Sequence, residues 1–168
     1  MTFDQRLYHQ IAQHRYPLLF CTTSEHEELK LIAAQCITKH HAHHYLGFSA
    51  NQWRLFQKET TPRVKPLLYV YRVLLTGIHL MRSGEVESNI VRLNDDFRLP
   101  YLPELIDRKT SGPEKGLLDE SDLAFHAIEY ERLTAILEQA MVESRLPEAA
   151  SGGNALNDLL IRIRIKQQ

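Results

Sequence analysis

Apolar residues recur every three or four positions along residues 65–82, which predicts an amphipathic helix with one buried side. That side holds Leu67, Tyr71, Leu74, Ile78 and Met81. A second set of positions at the same spacing is polar and holds Lys65, Tyr69, Arg72, Thr76 and His79. Two cations, two hydroxyls and an imidazole in helical register on an otherwise apolar helix indicate a surface that faces an anion or a partner.

A short amphipathic helix is indicated over residues 3–14, and two further helices are predicted before the one over residues 65–82. Ser24 and Glu27 form a capping box for a helix that runs to about Leu46, just before a glycine. Ser49 and Gln52 give a second capping signal, which would open a shorter helix that ends near residue 60. Pairs of this type mark helix N-termini because each side chain accepts a hydrogen bond from a free backbone N–H group.

The helix over residues 65–82 is well delimited, since Pro66 suits a first turn and Gly84 suits a stop. A long helix from about residue 121 to 145 would have its apolar positions at Leu123, Ile128, Leu133, Ile136 and Leu137. Further helices are predicted over residues 89–97, 103–109 and 154–165, although the end of the last one also alternates like a strand. The fold class is therefore mainly α, a bundle of about five to seven helices.

The length of 168 residues favours a single domain with a real hydrophobic core. We expect one helical domain over residues 1–168. Its parts would be an N-terminal extension (1–23), the bundle core (24–146), a linker (147–153) and a C-terminal helix (154–168).

Composition is that of an ordinary globular protein, with 43% hydrophobic and 24% charged residues. No apolar run approaches the roughly 18 residues that a membrane span needs, and the N-terminus lacks a secretory signal, so we expect a cytoplasmic protein without a membrane partner. Cys21 and Cys36 form no CxxC pair, which favours reduced thiols.

The net charge of −1 conceals an asymmetry along the chain. Residues 1–84 carry ten Lys and Arg against five Asp and Glu, whereas residues 85–150 carry seven against fifteen. No acidic residue lies between Glu59 and Glu85. The basic part is the better candidate for an anionic ligand, although a solvated basic face is the plainer interpretation.

The histidine-rich segment 39–44 is a weak candidate for a metal or cleft site. His40 and His44 are one helical turn apart and could point the same way. A zinc hydrolase helix of the HExxH type needs a carboxylate after its first histidine, but His41 stands there, and no neighbouring Cys or Asp completes a tetrahedral set. Core or groove histidines that continue the preceding apolar face are the favoured interpretation.

Arg72 and His79 are separated by six residues. An Arg followed at this distance by a His resembles the motif of HEPN-type ribonucleases, which are helical and cleave RNA without metal. Those enzymes usually place a polar residue directly after the Arg, and here it is Val73. A HEPN-like ribonuclease that uses Arg72 and His79 is therefore kept as an alternative.

Phosphate binding without bond cleavage is a third interpretation of the same region. Arg63 and Lys65 flank the start of a helix, whose free N–H groups and dipole favour an anion, and Arg72 lies two turns further on. Arg holds phosphate through a planar fork and Lys as a point charge. Pairing of Lys65 and Arg72 with the acidic part of the chain is equally compatible with the sequence.

Two blocks are rather specific, Tyr71-Arg72-Val73-Leu74-Leu75-Thr76-Gly77-Ile78-His79 and Gly84-Glu85-Val86-Glu87. With further blocks from about residue 24 to 164, the chain resembles the C-terminal half of predicted nucleotidyltransferases of the DNA polymerase β superfamily, including RNA-repair-associated members. The resemblance implies a helical domain that packs across the catalytic cleft and offers basic groups to the nucleotide. Lys65 and Arg72 would have that role, with Tyr69 and His79 on the same face.

Enzymes of this superfamily hold two Mg²⁺ ions on an Asp-x-Asp pair that follows a Gly-Ser turn in an N-terminal α/β domain. The sequence has neither, since Asp95 and Asp96 are adjacent and Gly152-Gly153 precedes only Asp158. We therefore expect a nucleotide- or acceptor-binding module that lacks the catalytic half and is inactive alone. It would bind no cofactor by itself, and would meet Mg²⁺ and a nucleoside triphosphate once completed.

The expected partner is an α/β nucleotidyltransferase domain, or a second copy of the chain. The resemblance leaves open the nucleotide base, the acceptor and whether RNA is bound. A non-catalytic interaction module is the remaining alternative.

Overall fold

The computed structural model describes residues 23–112 and 117–166, which form seven helices. They are α1 (Ser24–Ala34), α2 (His41–Gln57), α3 (Val64–Ser83), α4 (Ile90–Phe97), α5 (Tyr101–Thr110), α6 (Glu120–Glu143) and α7 (Gly153–Lys166). The β structure in this part of the chain is one isolated bridge between Arg63 and Leu117. The prediction of a mainly α protein is confirmed. The predicted N-terminal extension, with the helix over residues 3–14, lies outside the described residues except for Thr23.

The chain divides into two compact units. Of the described residues, 23–36 and 151–166 form the smaller unit, which contains α1 and α7, and 37–112 and 117–150 form the larger unit, which contains α2 to α6. Within the smaller unit, Lys166 Nζ lies 2.7 Å from Glu25 Oε1 and Arg162 pairs with Glu28. Ile32 of α1 and Leu159 of α7 are buried there.

Helix α3 is the centre of the larger unit. It packs against α2, α4, α5 and α6, and thirteen of its twenty residues are buried. All five residues of the predicted apolar side are among them, which confirms the pattern. Thr76 is an exception on the predicted polar side, because only 5% of its surface is exposed.

The contact between α2 and α3 is tightest at Gly77. A Cβ at this position would lie 2.8 Å from Tyr45 Cβ and 2.9 Å from Tyr45 Cγ, and 3.1 Å from Leu137 Cδ1 of α6. Glycine therefore lets α2 approach the backbone of α3 directly. This approach sets the position of the α2 side chains that reach the exposed side of α3.

The helix boundaries before α3 differ from the prediction of a helix through Leu46. Helix α1 ends at Ala34, where the Gln35 carbonyl accepts hydrogen bonds from Ser151 N (3.1 Å) and Gly152 N (3.3 Å) instead of continuing the helix. Helix α2 then begins at His41 and runs through Ser49. The Ser49 hydroxyl donates to the Leu46 carbonyl at 2.9 Å, so this residue lies within a helix and does not cap one.

Later helix ends follow the expected chemistry more closely. Gly84 ends α3 in the left-handed conformation, with φ of 78°. Asp119 caps α6, two residues before the predicted start, and forms a capping box with Asp122. Ile128, one of the predicted apolar positions of this helix, does not face the core, since 70% of its surface is exposed, whereas Tyr130, Leu133 and Leu137 do.

No helix in the described ranges is long and apolar enough to cross a membrane.

Candidate functional site

The residues of α3 that escape burial lie on one side of the helix. They are Lys65, Pro66, Tyr69, Arg72, His79, Arg82 and Ser83. We call the exposed Lys65 and the half-buried Tyr69, Arg72 and His79 together the exposed stripe. Because a helix rises 1.5 Å per residue, Lys65 and Arg72 lie roughly 10 Å apart along its axis, as do Arg72 and His79.

Arg72 is held by aromatic packing. Its guanidinium carbon lies 4.5 Å from the centre of the Tyr69 ring, a cation–π contact. The Tyr69 ring in turn meets Phe48 of α2 edge to face at 5.8 Å, and Phe48 stacks on His44 at 5.9 Å. This column of side chains orients the Arg72 guanidinium while its N–H groups stay without a carboxylate partner in the described part of the chain.

The start of α3 carries two further cations, which differ in availability. Arg63 Nε lies 3.2 Å from Glu59 Oε2, and the Arg63 backbone N–H donates to the same oxygen at 3.1 Å. The Arg63 guanidinium holds the pKa of Glu59 below its usual range. Lys65 is exposed and forms no ion pair within residues 23–112 and 117–166. Lys65 is therefore the more available cation for an external anion.

No side chain caps the N-terminus of α3 within the described residues. Pro66 lacks an N–H group, and Arg63 N–H already binds Glu59, which leaves the first-turn N–H groups of Val64 and Lys65 without a side-chain acceptor. Free N–H groups and the helix dipole add to the positive potential around Lys65.

His79 lies at the far end of the exposed stripe, two turns beyond Arg72. Its Nδ1 is 3.5 Å from Asp96 Oδ2 of α4, an arrangement that becomes an ion pair when the imidazole is protonated. Arg72 instead packs on Tyr69. The two residues of the candidate HEPN pair thus share a face of α3 but have separate partners.

The histidines of α2 are exposed, unlike the core or groove residues that the sequence favours. The helix breaks after Ala34, so the apolar face of α1 does not continue into them. His40 precedes α2 and stacks on His43, with ring centres 6.0 Å apart, while His44 stacks on Phe48. The described residues contain no group of three or more His, Cys, Asp or Glu that could hold a metal ion.

The site has two members that the sequence did not single out. Phe48 of α2 contacts Tyr69 of α3. The sequence alone does not pair these two rings, because their contact depends on how the helices pack. Glu59 neutralises Arg63, and the four-residue spacing of opposite charges was a usable signal for that pair. The exposed stripe thus presents two cations without a carboxylate partner in the described residues, Lys65 and Arg72, and an aromatic column orients Arg72.

Comparison with known proteins gives a family match over residues 14–162, to the model described as "RNA repair pathway DNA polymerase beta family". The chain is also similar to an uncharacterized protein of Methanocaldococcus jannaschii, at 41% identity over 64 residues. The aligned segment covers 38% of this chain and 26% of that protein, so the chain spans about a quarter of the length of this relative. No solved structure matches the chain.

Proposed function

This chain belongs to the RNA repair pathway DNA polymerase beta family, and from that membership we propose that it supplies the helical, phosphate-binding part of a polymerase-β-like nucleotidyltransferase. The observation that carries the proposal is the exposed stripe of α3. Lys65 and Arg72 are cations without a carboxylate partner in the described ranges, on a helix in which thirteen of twenty residues are buried. A helix that carries the core of the unit gives such groups a rigid support.

The chemistry of Arg72 suits a phosphate more than a single point charge would. A guanidinium presents parallel N–H groups that match two phosphate oxygens, and packing on Tyr69 fixes its plane before the ligand arrives. Phe48 restrains Tyr69 from the α2 side. Less conformational entropy is then lost when the phosphate binds, because the fork is already ordered.

Lys65 would contact a second phosphate, two turns before Arg72. Its side chain is exposed, so it contributes mainly long-range attraction that salt screens. Arg63 contributes less, because Glu59 already neutralises it. The proposed order of importance is therefore Arg72, then Lys65, then Arg63, with His79 at the edge of the site.

The catalytic Mg²⁺ ions of such an enzyme do not fit the described residues, which offer no group of three or more metal-binding side chains. We assign no metal-dependent step to them. The proposal places the metal-binding carboxylates in an α/β partner domain that closes over the exposed stripe. It therefore predicts no nucleotide transfer by the isolated chain in the presence of Mg²⁺, and transfer by this chain alone contradicts that part of the proposal.

Titration with ATP, followed by amide chemical shifts, tests the phosphate site directly. We expect the largest shifts at Lys65, Tyr69 and Arg72. Hydrogen bonds to charged groups contribute about 1.5–3 kcal/mol, and exposure reduces this, so Arg72→Ala should weaken binding about tenfold. Arg72→Lys keeps the charge but loses the planar fork of N–H groups. Its affinity for ATP should therefore lie between that of the wild type and that of Arg72→Ala.

Arg92→Ala is the matched control. Arg92 is an exposed arginine of α4 that pairs with Glu87, and its loss changes the net charge equally. Binding to this variant should equal that of the wild type. Equal weakening by Arg92→Ala and Arg72→Ala would reduce the proposed site to a general effect of net charge.

A further inference from the structure

Three aromatic rings of α5 and α6 meet in a corner away from the exposed stripe. Tyr101 and Phe125 lie edge to face at 5.2 Å, Phe125 and His126 at 5.1 Å, and Tyr101 and His126 at 5.8 Å. The angles between the ring planes are 80°, 69° and 69°. These rings line a cleft of about 270 Å³. Phe125 leaves 46% of its surface exposed, so part of this residue is accessible to a ligand.

His126 gives this cleft a polar contact from within the core. Only 3% of its surface is exposed, and Nδ1 lies 2.7 Å from the Tyr71 hydroxyl. Burial lowers the pKa of His126, which favours the neutral imidazole. Since Tyr71 engages Nδ1, the other ring nitrogen, Nε2, is left for a ligand, and no hydrogen bond within the described residues satisfies it.

Tyr101 forms a rigid wall of the cleft. Its hydroxyl donates to Glu129 Oε2 at 2.7 Å, and Arg132 donates to both oxygens of Glu129, at 2.8 and 2.7 Å. A ring held at its hydroxyl end and packed against Tyr71 at 5.3 Å cannot swing into the cleft. The cleft is thus formed before a ligand binds.

The charges around the cleft argue against an anionic ligand. Arg108 is engaged by Asp122, with Nη2 2.9 Å from Oδ2, and Glu104 adds a second carboxylate at the rim. A quaternary ammonium suits an aromatic corner. It has no hydrogen to donate, however, and would therefore make no use of the accessible Nε2 of His126.

We propose that the cleft between α5 and α6 binds an uncharged heteroaromatic ring that carries an amino group, the chemistry of a nucleobase. The ring stacks on the exposed part of Phe125, a hydrogen-bonding edge meets His126 Nε2, and the amino group faces the carboxylate rim. This site goes beyond the phosphate-binding stripe and does not depend on it. A free nucleotide and a base of single-stranded RNA present the same chemistry.

Adenosine is the probe, because it has the base and no phosphate. In long-range ¹H–¹⁵N spectra of the full chain, we expect adenosine to shift the His126 Nε2 resonance and to leave the Lys65 and Arg72 amides unchanged. Stacking of one base on an aromatic side chain is lost in Phe125→Ala, which should weaken binding roughly 5- to 150-fold. Phe125→Tyr keeps the ring and should bind like the wild type.

Ile128→Ala is the matched control, since Ile128 is 70% exposed and lies one turn beyond Phe125 on α6. It should not change the affinity. A second titration, with a single-stranded adenosine hexanucleotide, distinguishes a free nucleotide from a base of RNA. If the hexanucleotide binds much more tightly than adenosine and this binding is lost in Phe125→Ala, the ligand is a base of RNA. If the two affinities are comparable, the ligand is a free nucleotide.

The proposal is overturned if millimolar adenosine leaves the His126 nitrogens unshifted, or if Ile128→Ala weakens binding as much as Phe125→Ala. Preferential binding of choline at Phe125 would also overturn it, in favour of an ammonium site. An Arg72→Ala variant separates the two proposals, because it should lose ATP affinity and keep adenosine affinity.

Discussion

Replacement of Gly77 by alanine tests how closely α2 approaches α3. In the interior of a helix, glycine is normally about 1 kcal/mol less favourable than alanine, so this substitution usually stabilises a protein. At residue 77 the added methyl group would stand 2.8 Å from Tyr45 Cβ and 2.9 Å from Tyr45 Cγ. Real Cβ atoms do not come this close to their neighbours, so the two helices must move apart.

The cost of that movement exceeds the helix-propensity gain. An extra methyl group in a well-packed core typically costs about 1–3 kcal/mol. The atoms it meets in Tyr45 lie at the base of the side chain, where a change of rotamer gives little relief, and Leu137 Cδ1 closes the other side at 3.1 Å. We therefore expect Gly77→Ala to lower the free energy of unfolding by about 0.5–2 kcal/mol.

Gly47→Ala is a control that makes the same substitution but should change the free energy of unfolding in the opposite direction. Gly47 lies in the interior of α2, and a Cβ there would meet nothing within 4 Å. Alanine should raise the free energy of unfolding by about 0.8–1.0 kcal/mol. The comparison cancels any general effect of a glycine-to-alanine change.

Urea denaturation followed by the fluorescence of Trp53 measures both variants. Trp53 is the single tryptophan, is buried, and stacks on Tyr130 at 4.6 Å, so it reports on the larger unit that contains both glycines. The midpoint should fall for Gly77→Ala and rise for Gly47→Ala, with an unchanged slope. A Gly77→Ala protein as stable as the wild type would refute the close approach of the helices.

Two further predictions concern buried polar groups. Tyr71→Phe removes the hydroxyl that lies 2.7 Å from His126 Nδ1. Because the buried nitrogen is left unpaired, the free energy of unfolding measured with urea should fall by about 1–3 kcal/mol. An unchanged denaturation midpoint would contradict that contact. The Glu129 carboxylate has a pKa lowered from 4.5, chiefly because Arg132 donates hydrogen bonds to it. The ionised carboxylate therefore contributes fully to stability above pH 4.5, and this contribution is lost as the pH falls through the lowered pKa. The stability difference between wild type and Glu129→Gln should therefore shrink from about pH 5 to about pH 3, and a difference independent of pH would exclude the ion pair as its source.

The part of the fold that the sequence predicts best is α3. Its apolar positions are dense enough to define a buried face, and Pro66 and Gly84 mark its ends by local chemistry. The same pattern places Lys65, Tyr69 and Arg72 together on the opposite side. These features depend on neighbours within two turns, which the sequence displays directly.

Features that depend on packing between distant segments of the chain cannot be predicted from neighbouring residues. The break between α1 and α2 depends on hydrogen bonds from Ser151 and Gly152, more than a hundred residues away. The cleft at His126 depends on a contact with Tyr71, 55 residues earlier in the chain. A histidine within a helix carries no local signal of such a distant contact, and Phe48 carries none of its contact with Tyr69 of α3.

The central claim is that Lys65 and Arg72 hold a phosphate on the exposed stripe of α3. The most direct measurement is the affinity for ATP of the Lys65→Ala/Arg72→Ala double variant, compared with that of an Arg92→Ala/Lys109→Ala variant that removes the same charge from exposed positions of α4 and α5. We predict at least about a tenfold loss for the first and an unchanged affinity for the second. Equal affinities of the two double variants would contradict the claim.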